Sequence, residues 1–163
     1  MSTITTRFAT PDDVPTILEF IKRLAAFENE LEAVQTTPED LLRDGFGPQP
    51  RFEVLIAELD REPVGFALFF LTYSTWEGRP SLYLEDLYVV QSTRKHGVGR
   101  QLMAKLAAIA VERGYRRLDL QVLDWNPARK FYHRLAMDHM QDWLPYRLEG
   151  QALQKLAQES GQH

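Results

Sequence analysis

None of the 163 residues is cysteine, which excludes disulfides, thiolate metal sites and a cysteine nucleophile. No apolar run approaches the roughly 20 residues that a membrane span needs, and the start, MSTITTRFATPDD, lacks the basic stretch and apolar core of an export signal. A cytosolic (cytoplasmic) protein with no membrane partner is the simplest expectation. Low-complexity tracts and internal repeats are absent. An excess of positive charge is missing too: the net charge is -4, with acids grouped at Glu28, Glu30 and Glu32 and again at Glu39, Asp40 and Asp44. That balance argues against a nucleic-acid partner and suits a cationic small molecule, although solvated helix faces account for most such groups. Neither a Gly-Lys-Ser/Thr phosphate loop nor a three-glycine dinucleotide fingerprint occurs.

What remains is ordinary globular material, 44% hydrophobic and 26% charged, long enough for one well-buried core and read as a single domain over 1-163. Helix and strand signals alternate. A strand is expected at Ile4 to Ala9. Thr10-Pro11-Asp12-Asp13 then gives an N-cap, a first-turn proline and first-turn acids, opening a helix with Val14, Ile17, Leu18, Ile21 and Leu24 on one face. Thr37-Pro38-Glu39-Asp40 repeats the signal for a shorter helix. Strands are expected at Phe52 to Glu58 and Val64 to Tyr73 around the turn Asp60 to Pro63, then at Leu82 to Val90 after a loop at Thr75 to Pro80. A helix from about Gly97 to Arg113, a strand from Leu118 to Leu123, a helix near Asn126 to Leu135, a short strand near Asp142 to Leu148 and a terminal helix from Gly150 complete the pattern. This order predicts a mixed sheet with helices on both faces, and ligands in such sheets sit where neighbouring strands part.

Three elements carry chemistry. Gly97 and Gly99 follow Arg94, Lys95 and His96 and precede Arg100 at a helix start. Glycine there lets backbone approach a bulky anion, and the first helical amides lack intrahelical partners and can point at a pyrophosphate. Glu85 and Asp86 interrupt an apolar strand. Carboxylates in such a run are costly unless bonded or paired, which marks them as candidates for acid-base work, and strict alternation would turn at most one of them to a given cleft. Trp125 to Tyr132 opens a helix with Asn126 as N-cap and Tyr132 nearly two turns in; a phenol with a reference pKa of about 10 stays protonated at neutral pH and can donate to a leaving thiolate.

Together these elements resemble the GNAT superfamily of N-acetyltransferases, whose Arg/Gln-x-x-Gly-x-Gly/Ala loop binds the pyrophosphate of acetyl-CoA. The likeness covers nearly the whole chain and is strongest to the diamine and thialysine N-acetyltransferases. It is carried by Leu24 to Glu28, Asp44-Gly45-Phe46-Gly47, Gly65-Phe66-Ala67, Tyr73 to Gly78, Tyr83-Leu84-Glu85-Asp86, Val122 to Asn126 and Phe131-Tyr132. The resemblance implies an α/β (α+β) fold with a mixed, mostly antiparallel central sheet of about seven strands, acetyl-CoA as cosubstrate, no metal, and a homodimer. It also implies roles. The backbone of Leu87, Tyr88 and Val89 would pair with the pantetheine arm. Arg94, Lys95, His96, Gly97, Val98, Gly99 and Arg100 would wrap the pyrophosphate, and Asn126, Pro127, Ala128 and Arg129 would line the cosubstrate, with Tyr132 as general acid. Phe27, Glu28, Ser74, Trp76, Glu85, Asp119 and Gln121 would shape the amine site. Apart from the resemblance, an alkyl ammonium with a pKa of about 10.4 must lose its proton before it can attack, and the expected acceptor is Glu85, through water, while a backbone amide near Leu87 polarises the thioester. Relatives usually carry glycine where this chain has Lys95, and glycine where Ala136 ends the Tyr132 helix. The segment Asn126 to Tyr132 is also one residue shorter than in close relatives.

The expected reaction is direct transfer of an acetyl group to a primary amine of a small cationic substrate: a thialysine- or lysine-like amino acid, a diamine or a polyamine. Two other readings stay open at the level of sequence: a catalytically silent acyl-CoA-binding sensor or scaffold, and an N-acetyltransferase acting on protein or peptide amines.

Overall fold

The computed structural model describes residues 3–161, which fall into two compact units, Met1–Leu123 and Asp124–His163. The first holds a five-stranded sheet in the order β1-β2-β3-β4-β5, built from β1 (Ile4–Phe8), β2 (Glu53–Leu59), β3 (Glu62–Ser74), β4 (Arg79–Val89) and β5 (Leu118–Leu120). β1 to β4 are antiparallel neighbours, and β5 adds parallel to β4. The mixed, mostly antiparallel sheet is as expected from the sequence; its strand number is not, being five rather than about seven. Two differences are specific. The strand expected at Leu118 to Leu123 spans only three residues, and residues 142–148 form no strand. A strand exists only through its ladder, and among the described residues none pairs with that segment, which leaves Trp143 and Tyr146 64% and 92% exposed.

The two faces of the sheet are covered by different helices. On one, the even-numbered residues Val54, Ile56, Phe66 and Leu68 form a core with Val14, Ile17 and Phe20 of α1 (Val14–Phe27) and Leu41 of α2 (Pro38–Phe46). On the other, α3 (Val98–Glu112) buries Val98, Leu102 and Leu106. Gly65 is what lets α3 sit so close: a Cβ there would lie 2.8 Å from the Tyr88 carbonyl oxygen and 3.3 Å from Val98 Cγ1. The period-two alternation of side chains in β2 and β3 thus divides one apolar run between two helical layers.

Local capping sets the helix ends. Thr10 and Thr37 each close a capping box with the aspartate three residues on, as the Thr-Pro signals predict. After Thr10 the chain makes one turn of 3-10 helix, Pro11–Asp13, before α1 begins. Asp13 is held by a bidentate pair with Arg7, both contacts 2.8 Å, and the Arg7 guanidinium keeps its carboxyl below the usual range. α1 stops at Phe27 because Asn29 is left-handed, φ 61°, with Glu30 N–H bonded to the Ala25 carbonyl and Asn29 N–H to that of Ala26, a Schellman closure that leaves Glu28 at the helix mouth.

The second unit contains α4 (Ala128–Arg134) and α5 (Gly150–Ala157). α4 ends in the same motif: Met137 N–H bonds the Tyr132 carbonyl and Ala136 N–H that of His133, which forces Ala136 to φ 66°. An L-residue there crowds its Cβ against backbone at roughly 1–2 kcal/mol. Ala136→Gly should therefore stabilise the protein by about 0.5–1 kcal/mol once the greater freedom of unfolded glycine is subtracted. An urea melt showing no gain or a loss would contradict this.

Candidate active site

The site begins with an irregularity in β4. Leu68 of β3 faces Asp86, but the next residue, Phe69, faces Leu84, so Glu85 is the extra residue of a β-bulge. Without the bulge Leu84 and Asp86 would share a face. With it, Leu84 stays on the α3 side with Phe69, while Asp86 joins Leu68 on the side of α1 and α2. The strict alternation assumed from sequence fails here for that reason.

The bulge also marks where β4 loses its other neighbour. β4 and β5 pair only from Leu82↔Leu118 to Leu84↔Leu120, so among the described residues of this unit Glu85 to Val89 have no ladder partner on that edge, the open edge of β4. Val90 N–H bonds the Val64 carbonyl at 2.7 Å. Because successive residues turn their backbone groups to opposite edges, Leu87 and Val89 point theirs to the open side and Tyr88 points its own toward β3. Arg94 confirms the direction by donating from Nε to the Val89 carbonyl at 3.0 Å. Its guanidinium stands 5.8 Å from the Phe27 ring and 6.0 Å from that of Tyr88, so Phe27, Tyr88 and Arg94 are brought together at the end of α1.

Beyond β4 the chain makes a 3-10 turn, Gln91–His96, and then Gly97 at φ 78° opens α3, a conformation glycine adopts without the Cβ penalty. The first α3 ladder bond here is Gln101 N–H to the Gly97 carbonyl. The amides of Val98, Gly99 and Arg100 precede it and are left to bind from outside the helix. Lys95, His96 and Arg100 flank that terminus in sequence. An open strand edge running into a helix N-terminus fits an extended carrier that ends in a diphosphate.

Three carboxylates gather on the α1 side. Burial, and then the charges of Glu85 and Glu28, push Asp86 up to about 7. Burial, Glu30 and Glu85 raise Glu28. Glu85 itself is exposed on the bulge. Among the described residues no lysine or arginine pairs with any of the three, and no group of three or more acidic or histidine side chains is close enough to hold a metal ion. Asp119 faces Tyr83 across the β4–β5 pair; burial, Glu85 and Asp119 raise the Tyr83 phenol. Gln121 lies just past β5.

Other residues expected at the amine site lie elsewhere in this unit. Ser74 ends β3 opposite Arg79, six pairs from Leu68↔Asp86 and so roughly 20 Å along the strands. Its hydroxyl accepts from Glu77 N–H and from Arg117. Trp76 is in the adjoining turn, 83% exposed. In the second unit, buried Asn126 accepts from Ala128 N–H at 2.9 Å just ahead of α4; the N-cap itself is Pro127 rather than the expected Asn126. Pro127 follows it, Arg129 donates to the Asp124 carbonyl at 2.9 Å, and Tyr132 lies on the second turn against the Phe131 ring. Asp86 was legible as a carboxylate in an apolar strand, but the bulge that singles it out was not.

An antiparallel-to-parallel junction that ends early, a carboxylate bulge and a glycine-led helix start are consistent with an acyltransferase of the GNAT type. The chain belongs to the acetyltransferase (GNAT) family, whose model matches residues 18–137, and it is an N-acetyltransferase. It is 36% identical over 169 residues to the thialysine N-epsilon-acetyltransferase of Mus musculus, covering 96% of this chain and 99% of that one. It is 38% identical to the spermidine/spermine N(1)-acetyltransferase-like protein 1 of Homo sapiens, over 94% of this chain and 24% of that protein. Among solved structures, an integron cassette protein from V. cholerae superposes with a TM-score of 0.78 at 26% identity, covering 96% of this chain and 98% of that one.

The raised pKa of Asp86 is also a statement about stability. Its carboxyl holds a proton more tightly folded than unfolded, so the folded state binds more protons between about pH 4 and 7 and stability falls as pH rises through that window. Asp86→Asn should therefore be more stable than wild type at pH 8, by roughly 1–3 kcal/mol in unfolding free energy, with the difference shrinking by pH 5. Equal melting curves at pH 8 would refute the buried-charge account.

Proposed function

We propose that the protein transfers an acetyl group from acetyl-CoA directly to the primary amine of a small cationic acceptor. The observation that carries this reading is the group of three carboxylates, Glu28, Glu85 and Asp86, without a basic partner among the described residues and beside the unpaired edge of β4. The acceptor's ammonium supplies the missing charge. The names of the relatives, a thialysine and a spermidine/spermine-like acetyltransferase, support an acceptor of this kind.

The proton is the difficulty. An alkyl ammonium has a pKa of about 10.4, and handing its proton to an ordinary carboxylate is uphill by roughly 9 kcal/mol. For a carboxyl at about 7 the gap shrinks to roughly 5 kcal/mol. Glu85, exposed on the bulge, and Glu28 hold the incoming ammonium, and Asp86 is the better matched acceptor of its proton. The sequence alone put that role on Glu85. Bound acetyl-CoA supplies an activated thioester carbonyl. Leu87 N–H, on the open edge, donates to its oxygen, and Val89 N–H continues the backbone pairing. The amides of Val98 to Arg100 with Lys95 and His96 hold the diphosphate. By family resemblance Asn126, Pro127, Ala128 and Arg129 also contact the donor, and Tyr132 gives its phenolic proton to the departing thiolate. Ser74 and Trp76, remote along the sheet, would meet the acceptor from the second copy of a homodimer.

Amine-dependent release of CoA tests the whole. A panel of primary amines giving none would refute the function. Within it, Asp86→Asn should lower kcat by about 10²–10⁴ and abolish the rise of rate with pH near 7, while Glu85→Gln should mainly raise KM. The reverse pattern would return the base to Glu85. Tyr132→Phe should cut turnover far more than acetyl-CoA affinity, and unchanged turnover would remove Tyr132 from the mechanism.

A further inference from the structure

Arg94 stands where the two halves of the proposed site meet. Its place just ahead of Lys95, His96 and Gly97 suggests a ligand for the diphosphate, but its guanidinium is engaged elsewhere. Nε donates to the Val89 carbonyl at 3.0 Å, and Cζ lies 5.8 Å from the centre of the Phe27 ring and 6.0 Å from that of Tyr88. The Val89 carbonyl points to the open edge of β4, whereas the Tyr88 ring packs 5.5 Å from that of Phe20 on α1. The Arg94 side chain therefore crosses the open edge at its last residue and ends on the face of α1. Phe27 is the last residue of α1 and Glu28 follows it, so one exposed cation touches the donor's edge and the acceptor's mouth together. Among the described residues Arg94 forms no ion pair with a carboxylate.

We propose that Arg94 is a positioning residue that couples the two substrates: it holds Phe27 in the free protein, and a bound donor draws it off Phe27 to the diphosphate. The reading rests on acetyl-CoA as donor, as proposed above. Two differences between the docked and released positions drive the exchange. A pantetheine arm paired along Leu87 and Val89 takes the ground that the Arg94 side chain crosses. A diphosphate at the start of α3, a few residues on, offers anionic oxygens to the guanidinium fork, and charge-assisted hydrogen bonds to it outweigh a cation–π contact at an exposed site. When Arg94 leaves Phe27, a positive charge leaves the neighbourhood of Glu28, and the acceptor's ammonium meets carboxylates with no resident cation beside them. The donor thereby prepares the acceptor's side. By reciprocity, whatever holds Arg94 on Phe27 weakens donor binding.

CoA alone is the probe, since it carries the pantetheine arm and the diphosphate and needs no acceptor. Phe27→Leu removes the aromatic face and should tighten calorimetric CoA binding by about two- to fivefold, the worth of one exposed cation–π contact. A merely structural role for Phe27 would weaken CoA binding or leave it alone. Phe27→Tyr keeps the face and should bind CoA as the wild type does. In an Arg94→Met background, Phe27→Leu should change CoA affinity by less than about 1.5-fold. On the acceptor's side, CoA should speed hydrogen exchange of the Glu28, Asn29 and Glu30 amides, which close α1, by about twofold or more in the wild type and not in Arg94→Met. No gain in Phe27→Leu, the same gain without Arg94, or exchange unmoved by CoA would overturn the coupling while leaving acetyl transfer intact. A wild-type protein that binds no CoA would overturn both.

Discussion

One extra residue in one strand is the constraint on which the site depends. The bulge at Glu85 turns Asp86 from the face packed by α3 to the face of α1 and α2, and it coincides with the last β4–β5 pair. A regular strand would have buried Asp86 beside Leu84 in the α3 core, where a carboxylate has no tenable environment. The same irregularity thus rescues a charge, shifts its proton affinity to about 7, and ends the ladder so that Leu87 and Val89 show an open edge.

The elements around the bulge hold it in place. Gly65 brings α3 against β3 and β4 at a distance no larger residue permits. The Schellman closure at Asn29 stops α1 where Glu28 can act on Asp86, and Arg94 ties the end of β4 to the aromatic mouth of that helix. The resulting site keeps charges of one sign unpaired. The charged form of Asp86 is disfavoured by burial and by its neighbours, whereas Asp13 and Glu53 are paired with bidentate arginines.

Much of this was legible in the residues. Thr10-Pro11 and Thr37-Pro38 announce helix starts because capping chemistry is local, and the alternation in β2 and β3 announces a sheet covered on both faces because burial enforces period two. Gly97 after three basic residues pointed to an anion site because positive φ and free amides are properties of a few consecutive residues. The strand expected at Asp142 to Leu148 did not form because a strand is a relation between segments, and apolar alternation names no partner.

What the sequence by itself determined was the family, the N-acetyltransferases of the GNAT type, together with the residue runs proposed to serve it, an acidic stretch and a glycine-led helix start, each written in short runs whose local character does not depend on distant neighbours. Which carboxylate changes its proton affinity, which backbone edge lies open, and that Arg94 reaches back to Phe27 were decided only by tertiary structure. Register, burial and the field of neighbouring charges arise between segments far apart in the chain, and no local pattern encodes them.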